Sequence, residues 1–211
     1  MSNRTRRKIV FLLALIPFLS VEMRAKNPQP MKIPPRPPTR VKAPDYYPSD
    51  DGKLIAKVIW VPARSDPGYF ESRIQILSQY GKVLRAVDLT SEDGEHGGVV
   101  DHAEWSPNSQ FFVATYSSSG GHWPWHEPAL CYRRSVNKFY SLDDYIGDVA
   151  SPGFFFTDPD TITIGVVKRE RNGTASMSGY PRTLSLKKVF QKGPVRPGQD
   201  IWFRGQLAGV E

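Results

Sequence analysis

Asp101-His102-Ala103-Glu104-Trp105-Ser106-Pro107-Asn108-Ser109-Gln110-Phe111-Phe112-Val113-Ala114-Thr115-Tyr116 decides the fold class. Residues alternate in character up to Trp105, as in a half-buried strand. Ser-Pro-Asn-Ser then supplies a turn, with proline where a fixed φ suits type I geometry and asparagine after it. The bulky run from Phe111 is the composition of a buried strand. The stretch therefore reads strand, tight turn, strand.

Similar pieces flank it. Leu54 to Val61, Ser72 to Leu77, Lys82 to Leu89, Ala129 to Arg134, Lys138 to Leu142 and Thr161 to Val167 all read as strands. Gln79-Tyr80-Gly81 joins two of them as a hairpin turn. Leu184 to Phe190 and Ile201 to Phe203 are weaker strand candidates, and residues 170–180 read as loop. No apolar period of 3.6 persists over three turns, and Tyr140 to Ile146 is at most one helical turn.

The turn recurs. Tyr47-Pro48-Ser49-Asp50-Asp51-Gly52-Lys53 and Phe155-Phe156-Thr157-Asp158-Pro159-Asp160-Thr161 each place an aromatic, a Ser or Thr and a turn before a strand. Measured from Ser49 to Ser106 to Thr157 the intervals are 57 and 51 residues, the length of a four-stranded blade with long loops. On these residues the chain resembles the TolB-type β-propeller repeat, whose hallmark is a Trp-Ser-Pro-Asp-Gly-Lys turn feeding a strand. Ser106 to Gln110 replaces the Asp and Gly of that hallmark, and the Thr157 unit diverges most. The resemblance implies a fold and an interaction role rather than a reaction. Three such units do not close a ring of about four to eight blades. The expected fold is therefore all-β, with antiparallel sheets of propeller-blade type in an incomplete or open stack; a β-sandwich is the alternative. An open stack leaves a free edge, for which self-association is one solution.

Charge is distributed unevenly. The net +7 of the 211-residue chain arises before residue 45, because residues 45–211 carry 18 basic against 20 acidic side chains. A nucleic-acid-binding domain keeps its basic excess on the folded part, so that class is excluded. Residues 1–25 read as an export signal or N-terminal anchor: Arg4 to Lys8 precede the apolar run Ile9 to Leu19, too short to span ~30 Å of hydrocarbon. Residues 26–44 form a proline-rich basic linker in extended conformation. Residues 45–211 are the repeat domain. The chain is expected to be exported, periplasmic or secreted, or else held at the membrane by an uncleaved N-terminal segment, its sole membrane contact. Cys131 is the only cysteine and reads as a small buried apolar residue, so no internal disulfide supports the core.

The ligand-binding candidate is the loop Ser117 to Pro128, where His122, Trp123, Trp125, His126 and Glu127 bring indoles, imidazoles and a carboxylate together. Indoles of this kind stack on sugars or cations, and also cap exposed core. His122 and His126 share one face only in a helix, which Gly121 and Pro124 oppose, so no metal is expected. In Asp101, His102 and Glu104, strand alternation places His102 with Glu104 and turns Asp101 toward the side of Ala103 and Trp105. His96 is their neighbour in sequence. Ser91 to Gly98 is a solvated acidic loop without the ligand spacing of a calcium loop. No catalytic signature is present, no cofactor is implied and no catalytic residue is assigned. The chain reads as a non-enzymatic module for an unknown protein or cell-envelope ligand. The alternative is a hydrolase-type enzyme with His102 or His126 as general base.

Overall fold

The computed structural model describes residues 46–62, 69–94, 96–121, 126–169, 175–195 and 206–207. Three antiparallel sheets carry the chain, and they do not close into a barrel. The first contains β1 (Tyr46–Pro48), β2 (Leu54–Pro62), β3 (Phe70–Ser78) and β4 (Val83–Asp88), with β12 (Gln206–Leu207) added beside β4. The second is the meander β5 (Gly98–Trp105), β6 (Phe111–Ser118), β7 (Ala129–Arg133) and β8 (Lys138–Ser141). The third joins β9 (Val149–Asp158), β10 (Thr161–Arg169) and β11 (Ala175–Ser185). Two short helices follow strands: α1 (Asp143–Ile146) after β8 and α2 (Leu186–Lys192) after β11. The all-β expectation is met. The leader, the linker and the Ile201 to Phe203 strand lie outside the described residues.

The middle sheet is buried on both faces, which explains why β6 is an unbroken apolar run. Phe112, Ala114, Leu130 and Tyr132 pack toward Val58, Ile74 and Ile76 of the first sheet. Their sequence neighbours Phe111, Val113, Ala129 and Cys131 pack toward Phe154, Ile162 and Ile164 of the third. Side chains alternate across a strand, so one apolar run supplies two cores. Trp105 closes the first core: its ring meets Phe112 and Tyr132, and its Nε1 donates to Tyr47 O at 2.9 Å. Cys131 is fully buried between the sheets, and burial pushes its thiol pKa far up.

Two of the repeated turns are the same structure. Ser49 Oγ and Ser106 Oγ donate to Asp51 Oδ1 and Asn108 Oδ1, each at 2.8 Å. Each hydroxyl also accepts the amide five residues on, Leu54 N and Phe111 N, at 3.0 Å. Gly52 and Ser109 occupy the left-handed position, at φ 67° and 57°. At the Thr157 unit β9 and β10 instead form a tight hairpin with Asp158 opposite Thr161. That unit keeps the chain reversal but not the hydroxyl bracket.

The two matching turns interlock across the first and second sheets. Ser109 Oγ accepts Asp51 N at 3.1 Å, and Arg134 Nη1 donates to Asp51 Oδ2 at 2.7 Å. Partial burial opposes ionisation of Asp51, but the Arg134 hydrogen bond, the Lys53 amide and Ser49 outweigh it and bring the pKa to about 2. A depressed carboxylate pKa stabilises the fold fully above the unfolded value near 4 and loses that contribution as pH falls toward 2. Solvent screens the pair, so the loss is about 1 kcal/mol. In urea titrations at pH 6 and pH 2, R134M should lose this component at pH 6 and differ less from the parent at pH 2, where only its bond to Ser109 O is missing. An equal difference at both values would refute the assignment.

Three sequence expectations are corrected. A β-bulge between Val100 and His102 shifts the register of β5, so Asp101 is exposed and does not turn inward with Ala103 and Trp105. Residues 186–192 are helix rather than strand. Ser185 caps that helix by accepting Lys188 N, and Gly193 ends it at φ 79°. Leu186, Val189 and Phe190 recur at three- and four-residue spacing and join the second core, Phe190 stacking on Phe111. Residues 175–180 are strand rather than loop, pairing with β10 past an irregularity at Val167. Among the described residues no helix is long and apolar enough to cross a membrane.

Candidate functional site

The loop from β6 to β7 returns at one end of the second sheet. His122, Trp123 and Trp125 lie outside the described residues, whereas His126 and Glu127 are placed. The return leg is pinned on both sides. Pro128 O accepts Tyr116 N at 3.0 Å, and Glu127 N donates to Val149 O at 3.0 Å. The starts of β5, β7 and β9 and the ends of β6 and β8 meet at this end.

Asp143, the first residue of α1, organises the site. Its Oδ1 accepts His126 Nε2 at 2.7 Å and Val149 N at 3.1 Å, and its Oδ2 accepts Ala129 N at 2.8 Å. One nearly buried carboxylate thus ties together the loop, β7 and β9. Asp148 completes a group with His126 and Asp143 whose ligating atoms all lie within 4.8 Å of one another. It follows Gly147, whose φ of 91° turns the chain out of α1, and its carbonyl accepts Val167 N at 2.7 Å. Burial lowers the His126 pKa, but the Asp143 hydrogen bond and charge, with Asp148 and Glu127 behind them, raise it overall. The imidazole Nε2 is committed to Asp143.

Glu127 is the most perturbed acid here. Burial, the negative charge of Asp101 and a carboxyl–carboxyl hydrogen bond to Asp101 push its pKa up to about 7, against a smaller opposing pull from His126. Its Oε2 is shielded from solvent and has no hydrogen-bond partner. The bulge in β5 is what sends Asp101 toward this carboxyl.

The second sequence candidate does not join the first. His102 Nε2 lies 3.9 Å from Glu104 Oε2, its ring edge rests on Phe154 at 4.5 Å between centroids, and Nε2 makes no hydrogen bond. His96 pairs with Asp93 at 2.6 Å in the preceding loop. Among the described residues no hydroxyl or thiol hydrogen-bonds to the imidazole of His102 or His126; Thr115 Oγ1 donates only to the His102 carbonyl.

Sequence reading found His126 and Glu127 but missed Asp143 and Asp148. Both are acids around a one-turn helix, at Leu142-Asp143-Asp144 and Gly147-Asp148, a signal of capping and chain reversal. It also missed Glu71, a buried carboxylate that accepts Ser91 N, Ser91 Oγ, Gly97 N and Ser119 Oγ at 2.6 to 3.0 Å. Glu71 fixes the acidic loop against β3, so that loop is anchored rather than freely solvated. No family model matches the chain, and no curated protein is significantly similar to it.

Proposed function

We propose that the protein is an exported, non-enzymatic module of TolB-type repeats that binds a protein or cell-envelope ligand through the loop 117–128. The observation that carries this reading is the clamp on the loop's return leg. Asp143 bonds to His126, Ala129 and Val149, and Glu127 N bonds to Val149 O, so the return leg from His126 is held in place. Recognition loops gain affinity when their ends are held, because less ordering entropy is lost on binding. Two indoles in that segment bring large contact area at low rotamer cost. The bracketed turns at Ser49 and Ser106 support the repeat, and the basic leader and proline-rich linker support export.

The test is co-sedimentation of residues 26–211 with isolated cell-wall polymer and with detergent-solubilised envelope proteins of the source organism. The W123A/W125A variant should lose retention by about tenfold or more, as expected for aromatic hot spots, while keeping its far-UV spectrum. Equal retention, or unfolding of the variant, would sink the loop as the binding element.

The hydrolase reading has one supporting observation, the His126–Asp143 bond, which resembles a base held by an orienting carboxylate. Against it, that carboxylate already takes two backbone amides, and among the described residues no hydroxyl or thiol reaches the His126 imidazole. An esterase and peptidase screen in which H126A abolishes turnover would reverse this ranking.

A further inference from the structure

We propose that His126, Asp143 and Asp148 form a binding site for a divalent transition-metal ion of the zinc type. It rests on the same clamp at the return leg of the loop, to which Asp148 adds a third donor. The three donor atoms come from separate segments and still converge within 4.8 Å. Each segment is independently fixed. Glu127 N on Val149 O holds the His126 leg, two backbone amides hold Asp143, and Val167 N holds the main chain at Asp148. For an ion about 2.0–2.2 Å from each donor, Asp148 must close in by about an ångström and the His126–Asp143 pair must open by somewhat less.

This is not a loose patch of surface acids. The side chains of His126 and Asp143 are only 25% and 12% exposed. Asp143 has the capacity for a further bond: its two oxygens offer about four lone-pair sites and three are used. A second observation points the same way. The adjoining Glu127 leaves Oε2 shielded from solvent without a hydrogen-bond partner. Asp143 and Asp148 thus set two carboxylates against one imidazole, and a bound cation supplies further positive charge.

The donor set selects the ion. One imidazole nitrogen with carboxylate oxygens suits zinc or manganese, whereas calcium takes six to eight oxygens and copper(I) prefers sulfur. A bound ion would replace the Nε2 proton that now bridges His126 to Asp143. It would add a third tie between the loop's return leg and the α1–β9 connection.

The experiment is calorimetric titration of the untagged, chelator-treated full chain with ZnCl2, repeated with MnCl2 and CaCl2. The parent should take up one zinc per chain, bind manganese more weakly and ignore calcium. H126Q and D148N should each weaken zinc binding by about tenfold or more, the effect expected when a coordinating group is lost. H96Q, which removes an exposed imidazole, should bind like the parent. D148N keeps the main-chain bond to Val167, and the two ligand variants are read separately, so misfolding of one leaves the other decisive. No zinc uptake, binding unchanged in either folded variant, loss in H96Q, or calcium bound as tightly as zinc would overturn the site.

Discussion

Phe112→Ala is expected to cost about 3–5 kcal/mol of unfolding free energy, enough to bring a domain at the low end of the usual range of about 5–15 kcal/mol close to its unfolding midpoint. Phe112 has no exposed surface and stands where the first and second sheets meet, its ring against both Trp105 and Tyr47. Truncation removes the transfer free energy of the ring and leaves a cavity that two β-sheets cannot collapse around. The neighbouring Trp105 is anchored by its bond to Tyr47 O, which limits repacking from that side. Phe112→Leu keeps most of the volume and should cost less than half as much. Urea denaturation followed by tryptophan fluorescence reads both variants. A loss under 1 kcal/mol for the alanine variant would mean that the two sheets do not share this core.

Much of this arrangement is legible in the sequence because burial dictates residue type. The run Phe111 to Thr115 cannot be an alternating strand with one wet face, and a strand covered on both faces is what the structure shows. The Ser106 turn is equally readable, since proline and asparagine each have a local reason to stand there, although nothing in the sequence announces the left-handed Ser109. What escaped was determined at long range. Nothing local at Asp101 announces a bulge, because the register of β5 is set by its partner β6. The α2 segment shows only two turns of apolar spacing, and its assignment depends on Phe190 finding Phe111 across the second core. In the candidate site, aromatic and imidazole density marked the loop. The acids that hold it arrive through the β7–β8 hairpin, 17 residues from His126 in the case of Asp143. Residue chemistry flags a loop, while only topology says what its base is built from.

Glu71→Gln, the second large effect, should cost about 2–4 kcal/mol although it is nearly isosteric. Glu71 is 2% exposed and faces four donors: Ser91 N at 2.8 Å, Ser91 Oγ at 2.6 Å, Gly97 N at 2.8 Å and Ser119 Oγ at 3.0 Å. A carboxylate offers only acceptors and matches that set. An amide turns one oxygen into an NH2 group that confronts donors: Oε1 takes three of the four bonds and Oε2 takes Ser91 N, so either orientation leaves at least one buried backbone amide unpaired. Hydroxyl rotation can relieve Ser91 Oγ or Ser119 Oγ, but the amides of Ser91 and Gly97 cannot turn away. Gly97→Ala attacks the same contact from the other side, since its Cβ would stand 2.2 Å from Glu71 Oε1 and 2.7 Å from Leu89 O. The backbone must then withdraw, taking the bonds from Gly98 N to Leu89 O and from Ser119 N to Gly97 O with it. Because both changes break one network, the double variant should be less destabilised than the sum of the singles by about 1 kcal/mol or more. Hydrogen exchange should show protection lost at Ser91 and Gly97 first. Strict additivity, or a Glu71→Gln loss within 0.5 kcal/mol of zero (about the scatter of ordinary surface changes), would show that the loop is not held by this carboxylate.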